Sequence, residues 1–112
     1  MSSVYKVNHT GTANLAFAGT VPPGQHYRLV SVSCNFSAAP TTSENFTIEL
    51  DAAAGAIYDL LLYTLDPSAG ATTDILWQPD EEIILGPGDA VDVTFANSDS
   101  RNYGAQITFK AV

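Results

Sequence analysis

Apolar and polar residues alternate along most of this chain, which is the pattern of a β-strand with one buried and one solvated face. Between residues 90 and 96, for example, Val91, Val93 and Phe95 alternate with polar residues such as Asp92. No segment shows the sustained 3.6-residue periodicity of an amphipathic helix. The pattern therefore predicts an all-β protein.

The same alternation predicts nine strands, separated by Gly-, Pro-, Asn- and Ser-rich turns about 8–12 residues apart, as in sandwiches and barrels. They cover residues 4–8, 14–18, 27–37, 45–51, 57–65, 74–77, 82–85, 90–96 and 103–111. Eight or nine antiparallel strands in 112 residues predict an antiparallel β-sandwich of the jelly-roll type, whose two sheets cover each other.

Two domain-level predictions follow from the ends of this pattern. The polar stretch before residue 13 contains the flexible Gly11, so residues 1–12 are predicted to be an N-terminal arm. Residues 13–112 are then the jelly-roll domain. The chain shows neither a basic region followed by an apolar run nor a long apolar segment, so we expect folding in the cytoplasm and no membrane partner.

The strand at 27–37 is predicted to pair with the strand at 45–51. Its inward face should carry Val30, Val32, Cys34 and Phe36, which makes Cys34 a buried and unreactive thiol. The run 57–65 is almost continuously apolar, which predicts burial on both faces or coverage by a neighbouring subunit.

Charge narrows the choice of partners. Only 14% of the residues are charged, and 12 acids against 4 bases give a net charge of −8. Such a chain repels phosphate backbones, so nucleic acid is not expected as a partner. A surface poor in charge and rich in Ser, Thr, Asn and Ala suits a subunit of a permanent assembly, although it is also common in secreted proteins.

No motif for catalysis or for a cofactor is visible. A metal-binding cupin needs two or three imidazoles, whereas His9 and His26 are the two histidines, both in polar, loop-like segments. There is no Gly-x-Ser-x-Gly, and Cys34 is predicted to face inward, so no nucleophile is presented. We predict no enzyme, no catalytic residue, no metal ligand and no cofactor. Calcium held by Asp66, Asp80 or Asp99 stays open, although no EF-hand spacing occurs.

The aromatic residues are the remaining candidates for contacts. Tyrosine and tryptophan are enriched at interfaces because they combine a large apolar surface with one polar atom. The predicted interface residues are Val4, Tyr5, Val7, Tyr58, Tyr63 and Trp77.

Distinctive segments of the chain include Ser37-Ala38-Ala39-Pro40, Asp66-Pro67-Ser68, Trp77-Gln78-Pro79-Asp80 and Leu85-Gly86-Pro87-Gly88-Asp89. Together they resemble small virion structural proteins of tailed bacteriophages. The resemblance implies a capsid decoration (cement) protein on the capsid exterior, forming a homotrimer on the major capsid protein or other virion proteins. The alternative that it leaves open is a receptor- or glycan-binding head of a phage tail or fibre.

Overall fold

The computed structural model describes residues 4–112, which form two antiparallel sheets packed face to face. The strands are β1 (Val4–Gly11), β2 (Leu15–Thr20), β3 (Tyr27–Phe36), β4 (Phe46–Asp51), β5 (Leu60–Leu65), β6 (Asp74–Trp77), β7 (Ile84–Leu85), β8 (Ala90–Phe95) and β9 (Tyr103–Ala111). A short 3-10 helix, Ala56–Tyr58, precedes β5. The predicted all-β sandwich is confirmed.

The order of the strands is that of a jelly roll. The first sheet runs β1-β9-β3-β6, with β7 also paired to β3, and the second runs β2-β8-β4-β5. The first strand therefore pairs with the last, and successive strands mostly alternate between the sheets. The sandwich has two opposite edges, at which β1 lies beside β2 and β6 lies beside β5.

The predicted pairing of the strands at 27–37 and 45–51 is wrong. These strands are β3 and β4, which belong to different sheets. β3 pairs with β9, β6 and β7, whereas β4 pairs with β8 and β5. Alternation shows which face of a strand is buried, but it carries no information on the neighbouring strand.

A β-bulge changes the inward face of β3. Leu29 pairs with Phe109 and Ser31 pairs with Thr108, so Val30 is the extra residue of the bulge. Val30, predicted to be inward, is only half-buried, while Leu29 is buried in the core. The alternation resumes after the bulge, which leaves Val32 and Phe36 inward as predicted.

The core lies between the two sheets and is built from apolar side chains of both. Its largest fully buried members are Phe46, Phe95 and Phe109. Cys34 is also buried, and this burial raises the pKa of its thiol to about 12. No helix in the described part of the chain has the length and hydropathy needed to cross a membrane.

The predicted arm overlaps β1. Val4–Gly11 pairs with β9 along its full length, from Val4 opposite Lys110 to Gly11 opposite Tyr103. Residues 1–3 of the arm lie outside the described residues. In this structure residues 4–11 are therefore an edge strand of the first sheet, and an arm that leaves the sandwich in an assembly stays a prediction.

Candidate functional site: an acidic sheet face and two apolar edges

Carboxylates gather on the outer face of the second sheet. Glu49 of β4 lies directly opposite Asp92 of β8, and Asp51 follows two residues later on the same face of β4. Burial raises the pKa of Asp92, and the negative charges of Asp51, Glu49 and Asp59 raise it further. These four residues are called the acidic face below.

No basic side chain faces these carboxylates among residues 4–112. Lys6, Arg28 and Lys110 alternate with core residues of the first sheet and so lie on its outer face, on the other side of the sandwich. Arg101, the remaining basic residue, donates to the carbonyl oxygen of Ala39 in a loop. The molecule therefore has one acidic outer face and one outer face that carries most of its positive charge.

Hydroxyl groups lie next to the Glu49–Asp92 pair on the same face of the sheet. Thr47 and Thr94, opposite each other on β4 and β8, are hydrogen bonded through their side chains. On the neighbouring strand β2, the exposed Ala16 lies opposite Thr94, and the exposed Ala18 lies opposite Asp92. Small side chains therefore flank the carboxylates on this side.

Other acids of the chain serve as loop anchors. Asp99 accepts hydrogen bonds from the backbone N–H groups of Thr42 and Thr41, each at 2.8 Å, and from both hydroxyls. These bonds hold the pKa of Asp99 at about 2. Glu44 accepts in the same way from Ser98.

Asp66, another acid considered for calcium, is also engaged within its own loops. Its carboxylate accepts hydrogen bonds from the hydroxyls of Ser43 and Ser68, which lower its pKa. Asp80 lies exposed in the turn after β6. Within residues 4–112, no three His, Cys, Asp or Glu side chains are grouped closely enough to hold a metal ion.

One of the two histidines, His9, lies in a strand and not in the predicted loop. His9 lies within β1 and stacks on Phe17 of β2, with ring centroids 5.3 Å apart, so it helps to close an edge of the sandwich. His26 lies exposed in the loop before β3, as the sequence predicts.

The predicted interface residues fall on the two opposite edges. Val4 and Tyr5 are exposed on β1, while the side chain of Val7 packs against the core. Tyr58 is exposed beside β5. Contact of these residues with a partner stays a prediction.

Tyr63 and Trp77 have an internal role at the second edge. Tyr63 lies on β5 and Trp77 lies on β6, and their rings stack with centroids 5.9 Å apart. Because β5 and β6 belong to different sheets, this stack closes the sandwich where the two sheets end. Both side chains are partly buried against the core.

An exposed apolar strip lies beside this edge, and the list of predicted interface residues includes only one of its members. Ile57, Tyr58, Leu60 and Leu61 are exposed by 87%, 60%, 57% and 53%. The continuous apolar run 57–65 was the sequence signal for this strip. It predicted either burial on both faces or coverage by a neighbouring subunit, and burial on both faces does not occur within one chain. The residues 57–61 are called the 57–61 strip below.

The acidic face was missed entirely at the level of sequence. Glu49 and Asp92 are 43 positions apart in the chain, as their numbers show, and meet only because β4 pairs with β8. Their polar character within alternating strands indicated solvent exposure and nothing more.

Comparison with known proteins gives a likeness of fold. No protein-family model matches the chain, and no curated protein is significantly similar to it in sequence. The structure is similar to that of the Drosophila NLP core, with a TM-score of 0.51 and 17% identity over 96% of this chain and 95% of that one. That structure was described as providing insight into pentamer formation and histone binding. At this identity the likeness shows a shared fold.

The predicted kinship with phage virion proteins is wrong. Neither sequence comparison supports it, and a solved structure that shares the fold belongs to a Drosophila protein. The residues behind the resemblance are turn residues. In Gly86-Pro87-Gly88-Asp89, for example, the N–H of Asp89 donates to the carbonyl of Gly86, and Gly88 adopts a φ of 84°. Such a turn is required between two strands of many sandwiches.

The functions and partners drawn from that kinship are corrected with it. They were a capsid decoration protein or a phage receptor- or glycan-binding head, and a homotrimer on the major capsid protein. The expectation of no nucleic-acid partner, drawn from the charge, is corrected as well, whereas the expectation of no membrane partner stays a prediction. A solved structure that shares the fold was instead described in terms of pentamer formation and histone binding. Folding in the cytoplasm stays a prediction, since a likeness of fold does not test location.

Proposed function

We propose that this chain is a subunit of an oligomeric, non-catalytic binding protein that holds basic polypeptides on its acidic face. The observation that carries the proposal is the group Glu49, Asp51, Asp59 and Asp92 with no basic side chain facing it in the described chain. The shared fold with the Drosophila NLP core, described in terms of histone binding, suggests histones as the first partner to test.

The electrostatics favour such a partner. Like charges placed opposite each other on neighbouring strands are destabilising. A bound cation that neutralises Glu49 and Asp92 would remove this repulsion, which favours binding. A net charge of −8 per chain also attracts basic polypeptides over a distance of roughly 10 Å at 0.1 M salt. Several copies in one assembly would multiply both effects.

A non-catalytic role is consistent with the reactive side chains. Cys34 is buried with a strongly raised pKa, and His9 is stacked between β1 and β2. Neither is presented to solvent beside a base or nucleophile. The acidic face, in contrast, is a broad surface of the kind that binds an extended basic segment.

The proposal is tested by titrating the full chain with purified histones and measuring affinity by fluorescence anisotropy. The triple variant Glu49→Gln, Asp51→Asn, Asp92→Asn should bind about tenfold more weakly, on the basis of roughly 0.5 kcal/mol for each exposed ion pair. The control is Asp74→Asn, Asp80→Asn, Glu81→Gln, which removes the same number of charges outside the acidic face.

The two triple variants separate a defined site from the general effect of net charge. Equal weakening in both would contradict the acidic face as the site. No measurable binding of histones by the unmodified chain would reject the proposed function.

A further inference from the structure

Two opposite edges of the sandwich carry exposed apolar side chains. At one edge lies the 57–61 strip, with Ile57 almost fully exposed. At the other edge lies β1, where Val4 is 54% and Tyr5 is 40% exposed. Four exposed apolar side chains within five residues at one edge, and two more at the opposite edge, mark contact surfaces.

The charges that border these two surfaces are of opposite sign. Asp59 lies within the 57–61 strip, and Glu49 of the acidic face lies opposite Leu61 on the neighbouring strand. On β1, Lys6 follows Tyr5 directly, and Lys110 of β9 lies opposite Val4. One edge is therefore apolar and acidic, and the other is apolar and basic.

We infer that copies of this chain associate head to tail, with the 57–61 strip of one copy docked against β1 of the next. The occupant of each edge is a second copy because the chain itself supplies both complementary surfaces. In a net acidic protein, an acidic edge would repel the acidic face of another copy, and β1, with Lys6 and the neighbouring Lys110 of β9, is the complementary edge.

A contact between two different surfaces has a consequence for assembly. Because the two edges lie on opposite sides of the sandwich, each copy keeps one free edge after pairing, and the chain of contacts closes into a ring when the rotation between copies allows it. This inference rests on the proposed function, which places the chain in an oligomer, and names the surfaces that form that oligomer.

The first experiment measures molecular mass by size-exclusion chromatography with light scattering. The unmodified chain should have a mass several times that of one chain. Ile57→Asp, and independently Leu60→Asp, should reduce the mass to that of one chain, and so should Lys6→Glu on β1. These side chains are exposed, so circular dichroism should show an unchanged β-sheet spectrum.

Leu76→Asp is the matched control. Leu76 is exposed by 68% and lies on β6, beside β5 at the same edge, but its side chain is on the outer face of the first sheet, opposite Ser33, whereas the 57–61 strip belongs to the second sheet. It should keep the mass of the unmodified chain. A loss of assembly in Leu76→Asp as large as in Ile57→Asp would overturn the assignment of the surface.

Mixing the variants tests the head-to-tail arrangement. Ile57→Asp keeps an intact β1, and Lys6→Glu keeps an intact 57–61 strip, so equal amounts of the two should form a complex of two chains. A mixture that stays monomeric overturns the inference, as does a monomeric unmodified chain or a variant at either edge that retains the full mass.

Histone binding by the monomeric Ile57→Asp variant separates this inference from the proposed function. The variant retains Glu49, Asp51 and Asp92, so each chain should still bind, although without the gain from several sites in one assembly. Assembly with no histone binding would reject histone binding and leave the interface. Histone binding by an unmodified chain that stays monomeric would reject the interface and the oligomeric state, and leave the acidic face as the binding site.

Discussion

Glu49 and Asp92 lie directly opposite each other on β4 and β8, so two carboxylates are neighbours on the outer face of the second sheet. No basic side chain lies on this face within the described chain, where the single ion pair joins Arg28 to Glu82. Burial and the surrounding negative charges raise the pKa of Asp92 above its ordinary value. The repulsion between these carboxylates lowers the stability of the free protein, and a basic partner would relieve it.

The repulsion at Asp92 should make stability depend on pH. Because the pKa of Asp92 is raised on folding, its charged form disfavours the native state, and the cost develops as pH rises through the folded pKa. Asp92→Asn should therefore stabilise the protein at pH 7 by about 0.2–1 kcal/mol, the usual size of a cross-strand pair.

Urea denaturation at neutral and acidic pH measures this effect. The gain of Asp92→Asn should disappear below about pH 4, where the carboxyl group is protonated in both states. Asp80→Asn, in an exposed turn, is the control and should change little at either pH. A loss of stability in Asp92→Asn at pH 7 would contradict the prediction.

Asn97 is predicted to be the polar residue on which the loops at one end of the sandwich most depend. It is only 3% exposed, and its Nδ2 donates to the carbonyl oxygens of Thr12, Ala13 and Arg101 at 3.0–3.1 Å. Its Oδ1 accepts from the N–H of Arg101. Asn97→Ala leaves these groups without partners and should destabilise the protein by about 2–4 kcal/mol in chemical denaturation.

A second variant separates the hydrogen bonds of Asn97 from its backbone. The residue has a φ of 54°, a region that alanine disfavours and glycine accepts. Asn97→Gly should therefore be less destabilising than Asn97→Ala, and the difference should be about 1 kcal/mol. If both variants unfold at the denaturant concentration of the unmodified chain, the side chain has no such role.

Gly19 is predicted to be required for close packing at the β1–β2 edge. A Cβ atom at this position would lie 2.7 Å from Cε2 of Phe109 and 3.3 Å from Cγ2 of Val7. Because Phe109 is fully buried, its ring has little room to move. Gly19→Ala should cost about 1–3 kcal/mol through overpacking, measured by thermal and urea denaturation.

Gly70→Ala is the matched control for this substitution. A Cβ atom there would meet only Oγ1 of Thr72, at an ordinary distance of 3.5 Å. It should leave stability nearly unchanged. Combining Gly19→Ala with Phe109→Leu should cost less than the sum of the two single changes, and strict additivity would argue against the contact.

The loop anchor at Asp99 should make stability sensitive to acid. Its folded pKa of about 2 lies below the ordinary value of an aspartate, so its contribution is present at neutral pH and is lost as pH falls from about 4 towards 2. Asp99→Asn should lower stability at pH 7 and flatten the fall in stability over that range. Denaturation midpoints between pH 2 and pH 7 measure both effects, and an unchanged slope would contradict the prediction.

Most of the strands could be predicted from the sequence because each has one wet and one buried face. The predicted strands at 74–77 and 103–111 match β6 and β9 to the residue, and the strand at 27–37 ends one residue late. Two local features were missed. The bulge at Val30 follows from pairing with β9, and the first part of the run 57–65 forms a 3-10 helix instead of a strand.

The candidate site could be predicted only in part. Tyr58 and the apolar run 57–65 indicated one edge, and Val4 and Tyr5 indicated the other, although the sequence did not show that these edges are opposite. The acidic face was not predictable, because it depends on β4 and β8 being neighbours.

The sequence by itself determined the all-β class, the approximate strands, the buried face of most of them and the excess of negative charge, since each depends on residue type and short-range periodicity. Only the tertiary structure decided that Glu49 lies opposite Asp92, that β3 and β4 lie in different sheets, and that apolar surfaces with opposite charges occupy opposite edges. The physical reason is that alternation along a strand specifies which side chains avoid water, whereas the choice among neighbouring strands depends on long-range pairing.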